Sequence, residues 1–138
     1  YKSRSDFEKI HHKCEVFLID TIGELLLFYA ASDIAFVGGS LLPIGGHNLF
    51  EPASLGLPTI SGPYTFNQKE MTNLLEKADA LKIVSDSEEL ANNIITFYFN
   101  RSESEVFGER AKTIVEDNKG AISGLMSRLD DIFPETQI

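Results

Sequence analysis

The stretch IAFVGGSLLPIGGHNLFEPA, residues 34–53, decides the fold. Residues 34–37 form a short apolar run rich in β-formers, which predicts a buried strand. Two glycine pairs, Gly38-Gly39 and Gly45-Gly46, then lead to residues 48–51, whose Asn-x-x-Glu pattern predicts a capped helix start. Pro52 fits the first turn of that helix, where its missing N–H has no partner to lose. A strand, a glycine-rich loop and a helix in this order indicate an α/β fold.

The rest of the chain continues the alternation of strands and helices. Further strands are predicted at 16–19, 57–60 and 81–84, and helices at 5–13, at 22–31 behind a Thr21–Glu24 capping box, and at 67–78 behind an Asn67–Glu70 box. From residue 86 onward the apolar residues recur at the spacing of a helix, and helix starts are predicted at Asp86 and at a Ser102–Glu105 box. The three apolar stripes, all expected to be core, are Leu90, Ala91, Ile94, Ile95 and Tyr98; Phe107, Ala111, Ile114 and Val115; and Ile122, Leu125, Met126, Leu129, Ile132 and Phe133. We therefore expect one domain over residues 1–138, a Rossmann-like parallel sheet with helices on both faces.

Composition excludes several classes of partner. The 138 residues carry 21 acidic and 12 basic side chains, a formal charge of -9, so nucleic acid is not expected as a partner. Cys14 is the single cysteine and forms no internal disulfide, which fits a reducing compartment. No apolar run approaches the roughly 20 residues that span a bilayer. The chain starts without Met or a signal peptide, so we expect it to be a piece of a longer protein.

Ligands of an open parallel sheet bind beyond the carboxyl ends of its strands. Three loops lie there in the predicted fold, at 20–24, 38–48 and 61–67. The second loop has the glycines that let backbone approach a phosphate, but it matches neither the P-loop nor the dinucleotide fingerprint. Between Cys14 and Gln68 there is no Lys or Arg. A bound anion must therefore be held by backbone N–H groups, by neutral side chains or by a cation from elsewhere.

Glu51 has two interpretations from the sequence. It either stabilises the helix start, by about 0.3–1 kcal/mol, or accepts hydrogen bonds from the vicinal hydroxyls of a ribose. Glu24 has the same two interpretations, of which the cap is favoured. His47 is either a ligand contact or a loop residue, and it has no second ligand at metal-binding spacing, so neither a metal nor another cofactor is expected. His11 and His12 are expected to be solvated, and no nucleophile–base pair is recognisable.

Four motifs together resemble the 3-deoxy-D-manno-octulosonic acid (Kdo) transferases of lipopolysaccharide synthesis. They are DTIGEL at 20–25, FVGGS at 36–40, GGHNLFEPA at 45–53, and Gly62-Pro63 followed by Asn67. The likeness runs from about Val16 to Leu125. Tyr64 departs from it, since the family usually has His after Gly-Pro, and Gln68 stands where an aromatic is common.

The resemblance implies a GT-B fold, in which two Rossmann-like domains enclose a cleft, and makes this chain most of the C-terminal, donor-binding domain. It implies an inverting transfer of Kdo from CMP-Kdo to a lipid A precursor at the cytoplasmic face of a bacterial inner membrane. The general base and the membrane contact would come from an N-terminal half, so the fragment alone would be inactive.

The resemblance also assigns roles to residues. Glu51 would bind the ribose of CMP, and Asn48 with the Gly38-Gly39-Ser40 turn would hold the phosphate. Gly23 and Glu24 would lie near the cytosine. Gly46 and His47 complete the expected donor site.

Two alternatives stay open at the level of sequence. One is another GT-B nucleotide-sugar enzyme, such as a UDP-sugar transferase or an epimerase. The other is a nucleotide-binding module without catalysis.

Overall fold

The computed structural model describes residues 1–5 and 14–132, with side chains described as far as Lys119. Its strands are β1 (Lys2–Ser3), β2 (Phe17–Leu18), β3 (Ala35–Val37), β4 (Thr59–Ser61) and β5 (Lys82–Ile83). Its helices are α1 (Leu25–Ala30), α2 (Phe50–Ser54), α3 (Lys69–Lys77), α4 (Ser87–Phe99) and α5 (Arg101–Ile132), and a 3₁₀ turn at Phe66–Gln68 precedes α3. The predicted alternation of strands and helices is confirmed, with shorter strands.

The strands form two parallel sheets. In the larger one β4 lies between β3 and β5, with Val37 opposite Ser61 and Ser61 opposite Ile83. All three residues of β4 are buried, as expected for a parallel strand covered on both faces. In the smaller sheet β1 pairs with β2, placing Lys2 opposite Phe17. β1 is too short and too polar for a sequence pattern to predict it.

Two hydrophobic clusters pack against the larger sheet. Ile60 of β4 contributes to one of them, together with Val84, Phe97 and Phe107. Since successive residues of a strand point to opposite faces, Thr59 and Ser61 face the other way. The second cluster consists of Val37, Leu49, Ala53, Leu75, Ala80, Leu81, Ala111 and Val115. The predicted core positions Phe107, Ala111 and Val115 are confirmed as buried.

The helix α5 crosses α2 in the antiparallel direction. Gly108 of α5 lies against the turn that ends α2, where a Cβ would overlap the carbonyl oxygen of Gly56, so only glycine permits this approach. Farther along α5, Val115 belongs to the same buried cluster as Leu49, which precedes α2, and Lys119 lies over the ring of Phe50, the first residue of α2. α5 therefore runs towards the start of α2, which is the carboxyl edge of the sheet.

The helix starts predicted from capping boxes are shifted in the structure, whereas the start predicted at Asp86 is confirmed. The carboxylate of Asp86 accepts hydrogen bonds from the N–H groups of Glu88 and Glu89, both at 2.9 Å. The helix α1 begins at Leu25 instead of residue 22, α3 begins at Lys69 after a 3₁₀ turn, and α5 begins at Arg101, one residue before the predicted box. A box pattern alone therefore does not fix the residue at which a helix begins.

The predicted core stripe of α4 is largely wrong. Ile95 is 53% exposed and Tyr98 is 70% exposed, whereas Phe97 is buried and its ring lies 5.1 Å from that of Phe107. The helix is rotated so that Phe97 faces the sheet, and periodicity alone does not say which stripe is covered.

Some predictions fall on residues that the structure does not describe. The predicted helix at 5–13, with His11 and His12, falls mainly on residues 6–13, which lie outside the described part. The side chains of the stripe at 122–133 also lie outside it. Within the described residues, no helix combines the length and the apolar character needed to cross a membrane.

Candidate functional site

Two of the three predicted loops are joined by hydrogen bonds at the carboxyl edge of the larger sheet. The N–H of Gly62 donates to Oγ of Ser40 at 2.8 Å, and the N–H of Tyr64 donates to the Ser40 carbonyl at 2.9 Å. The N–H of Asn67 donates to the Gly45 carbonyl at 3.0 Å. The loops at 38–48 and 61–67 therefore form one continuous surface, as their positions after adjacent strands predict.

The glycine-rich loop closes on itself. The N–H of Gly46 donates to the carbonyl of Gly39 at 2.8 Å, and that of His47 to the carbonyl of Gly38 at 3.3 Å. Gly39 and Gly46 have φ of 68° and 75°, which favours glycine at both positions. Closing the loop therefore uses the N–H groups of Gly46 and His47, and these two amides are not free to bind a phosphate.

Ser40 is a structural residue of this loop. It is fully buried, its hydroxyl donates to the Val37 carbonyl at 2.6 Å, and the same oxygen accepts the Gly62 N–H. Any contact of the Gly38-Gly39-Ser40 turn with a ligand therefore comes from its backbone. His47 is exposed and lies across the turn, since a Cβ on Gly39 would be 3.2 Å from its ring.

Asn48 and Glu51 are brought together at the start of α2. Oδ1 of Asn48 accepts the N–H of Phe50 at 2.9 Å, and its Nδ2 donates to Oε1 of Glu51 at 3.1 Å. Glu51 thus binds a neighbouring side chain instead of the backbone N–H that a capping box requires. Leu49 occupies the cap position, and Pro52 lies in the first turn as predicted. Asn48, which precedes the cap residue, therefore accepts the first N–H of α2, and Glu51 is half-buried beside it.

A tyrosine that the sequence analysis did not select also lies close to Glu51. Burial, followed by the negative charge of Glu51, raises the pKa of the Tyr29 hydroxyl. Tyr29 is part of α1, which packs against α2, so α1 borders the site at Glu51. No motif marks Tyr29, because the residue reaches the site through helix packing.

The loop at 20–24 is organised by an arginine from the end of β1. Arg4 forms an ion pair with Glu24 at 2.9 Å, and Thr21 donates a short hydrogen bond to the same carboxylate. The hydrogen bond from Thr21, followed by Arg4, holds the pKa of Glu24 below its usual range. Asp20 accepts hydrogen bonds from the N–H and the hydroxyl of Ser5, which lower the pKa of its carboxyl. Glu24 is therefore an ion-pair partner, and the favoured prediction that it caps α1 is wrong.

The site carries no recognisable metal-binding group. Within the described residues, no cluster of three or more His, Cys, Asp or Glu side chains is placed to hold a metal ion. What the site offers is one carboxylate, one amide side chain and a glycine-rich backbone, groups that suit hydroxyls and a phosphate.

Comparison with known proteins identifies relatives along most of the chain. The sequence is 36% identical over 127 residues to a 3-deoxy-D-manno-octulosonic acid transferase of Haemophilus influenzae, covering 91% of this chain and 30% of that protein. It is 32% identical over 117 residues to the transferase of that name in Bordetella pertussis, covering 85% of this chain and 27% of that protein. No family model matches. The chain thus spans less than a third of the length of these relatives.

A solved structure has a similar fold. The C-terminal CMP-Kdo binding domain of WaaA from Acinetobacter baumannii matches with a TM-score of 0.77 and 34% sequence identity. The match covers 82% of this chain and 59% of the solved one. The resemblance drawn from the four motifs is confirmed, and so is the predicted α/β fold.

Proposed function

We propose that this chain, which resembles Kdo transferases in sequence and their CMP-Kdo binding domain in fold, is the donor-binding part of such a transferase. The observation that carries the proposal is the match to a domain whose described ligand is CMP-Kdo, at 34% identity and over 82% of this chain. The intact enzyme would transfer Kdo from CMP-Kdo to a lipid A precursor in lipopolysaccharide biosynthesis. It would have a GT-B fold and act at the cytoplasmic face of the inner membrane.

Glu51 is the ribose-binding residue in this proposal. Asn48 donates to Oε1 of Glu51 at 3.1 Å, which fixes the orientation of the carboxylate. Among residues 1–5 and 14–119, no hydrogen-bond donor is found for Oε2, and this oxygen is free to accept from a ribose hydroxyl. A carboxylate suits a diol because it accepts hydrogen bonds only, and charge-assisted bonds are the strong ones.

The phosphate is held by Asn48 and by the backbone of the Gly38-Gly39-Ser40 turn. Gly46 and His47 support this contact indirectly, since their amides close the loop onto Gly39 and Gly38. Gly23 and Glu24 lie near the cytosine, with Glu24 kept ionised by Thr21 and Arg4. The donor is thus bound by a preformed surface.

The chemistry itself needs groups from outside this chain. In an inverting transfer, a base takes the proton of the acceptor hydroxyl while that oxygen attacks the anomeric carbon of Kdo and CMP departs. As the resemblance implies, the base, the acceptor site and the membrane contact come from the N-terminal half of the enzyme. The formal charge of -9 does not favour nucleic acid as a partner.

Nucleotide binding and turnover test the proposal separately. The 138-residue chain is expected to be stabilised thermally by CMP more than by UDP, and to transfer no Kdo from CMP-Kdo to a lipid A precursor unless the N-terminal half is restored. Greater stabilisation by UDP would favour another nucleotide-sugar enzyme. An intact reading frame with no activity would favour a binding module. Transfer by the 138-residue chain alone would contradict the assignment of the base to the other half.

A further inference from the structure

The donor site has no cation of its own along the central part of the chain. Between Cys14 and Gln68 the sequence contains no Lys or Arg, yet the site holds the carboxylate of Glu51 and is proposed to bind a phosphate. Two negative charges in close proximity repel each other unless a positive charge lies nearby. The structure brings one such charge to this place from the far end of the chain.

That charge is the ammonium group of Lys119. Its Nζ lies 5.3 Å from the centroid of the Phe50 ring, a distance typical of a cation–π contact. Phe50 is the residue whose N–H donates to Asn48, and it directly precedes Glu51 in the sequence. Lys119 therefore contacts Phe50, the residue that lies between Asn48 and Glu51, the two proposed ligand contacts, and binds the first of them.

The packing of α5 explains why Lys119 arrives there. Gly108 contacts the turn at Gly56 behind α2, and the helix rises by about 1.5 Å per residue. Eleven residues later, about 16 Å along the axis, α5 reaches the start of α2. Lys112 lies beside Gly56 at the opposite end of α2, two turns before Lys119 and on the same side of the helix.

Lys119 is also free to meet a ligand. It is exposed, and none of the ion pairs among the described side chains includes it. By contrast, Arg4 at the neighbouring loop is committed to Glu24. The aromatic ring of Phe50 holds the ammonium group near the site, and the N–H donors that do not face the ring stay available.

We propose that Lys119 is a further donor-binding residue, whose ammonium group contacts the phosphate of the nucleotide and offsets the charge of Glu51. The inference rests on the proposed function, since it needs CMP as the ligand. It adds a cation to a site whose glycine-rich loop has none.

The test is titration calorimetry on the complete protein that carries this chain, with CMP and, by competition, with cytidine. Lys119→Met removes the charge and keeps an apolar stem. It is expected to weaken CMP binding by about five- to twentyfold, less than the loss of a buried charge-assisted contact because Lys119 is exposed to solvent, and to leave cytidine binding unchanged. Lys119→Arg is expected to retain most of the affinity for CMP, and Lys112→Met, the matched control, all of it.

The outcomes separate the two proposals. If the wild-type protein binds CMP and Lys119→Met binds it equally well, the assignment of Lys119 is wrong while the proposed function stands. Equal losses for CMP and cytidine would show a structural role and also overturn the assignment. If the wild-type protein binds no CMP, both proposals fail. Because Lys119 is exposed, thermal unfolding of each variant should match the wild type.

Discussion

Glu24 and Glu51 stand in similar sequence patterns but in different electrostatic surroundings. Each is the fourth residue of a capping-box pattern, and each binds a polar side chain three residues before it instead of the backbone. Glu24 is neutralised by Arg4 at 2.9 Å. Glu51 has a neutral amide as its partner, and its charge acts on Tyr29. The same capping-box pattern thus produces an internal ion pair in one loop and a carboxylate available to a ligand in the other.

The largest expected effect is that of Glu51→Gln on nucleotide affinity. If Glu51 accepts the ribose hydroxyls, the loss of a charge-assisted contact weakens CMP binding by roughly 1.5–3 kcal/mol, on the order of ten- to a hundredfold. Discrimination against 2′-deoxy-CMP should shrink in parallel. Titration calorimetry with both nucleotides on the complete protein measures the two quantities.

Glu24→Gln is the matched comparison for that experiment. Because Arg4 already neutralises Glu24, its loss should change CMP affinity by about threefold or less. A Glu51→Gln variant that kept its affinity and its preference for the ribonucleotide would make Glu51 a helix-start residue only. A larger loss for Glu24→Gln than for Glu51→Gln would reverse the comparison.

Two hydroxyl groups organise the loops at 38–48 and 20–24, those of Ser40 and Thr21, and their loss should have unequal effects on stability. Ser40 is fully buried and joins the Val37 carbonyl to the Gly62 N–H, so Ser40→Ala leaves buried polar groups without a partner. The free energy of unfolding should fall by about 1–3 kcal/mol. Urea denaturation with an unchanged m-value is the measurement.

Thr21 provides the counterpart in the more exposed loop. Its hydroxyl binds the side chain of Glu24, which can turn to solvent when the partner is lost. Thr21→Val should therefore lower the free energy of unfolding by less than about 1 kcal/mol. Equal losses for the two variants would mean that the buried position of Ser40 has no energetic consequence.

Local patterns predicted much of the fold. The apolar runs predicted β2 to β5, and Asp86 was identified correctly as the cap of α4 because its side chain has no competing partner nearby. The glycine pairs predicted the loop, since positive φ at Gly39 and Gly46 is a backbone requirement visible in the sequence. These features depend on residues within a few positions of one another.

Features that depend on distant residues were not predictable. Arg4 meets Glu24 across 20 positions, and Lys119 meets Phe50 only because α5 packs antiparallel to α2. Tyr98 belongs to a regular apolar stripe and is 70% exposed, because periodicity defines a stripe without showing what covers it. The partners of the site's charges are thus set by tertiary packing.

The smallest expected effect is the pH response of the Glu24 loop, and its sign follows from the lowered pKa. A carboxyl whose pKa is lower in the folded protein stabilises the fold above its unfolded pKa, and this contribution is lost as pH falls through the folded value. The hydrogen bond from Thr21 and the charge of Arg4 cause the shift, so Thr21→Val and Arg4→Ala should each raise the pKa of Glu24 towards its ordinary range. NMR titration of the Glu24 side chain below about pH 5 measures the change. Arg101→Ala is the control, because Arg101 pairs with Asp33 and should leave Glu24 unaffected. An ordinary pKa for Glu24 in the wild-type protein would contradict this prediction. The ion pair with Arg4 would then not stabilise the charged carboxylate, and Glu24 would be as available to a ligand as Glu51.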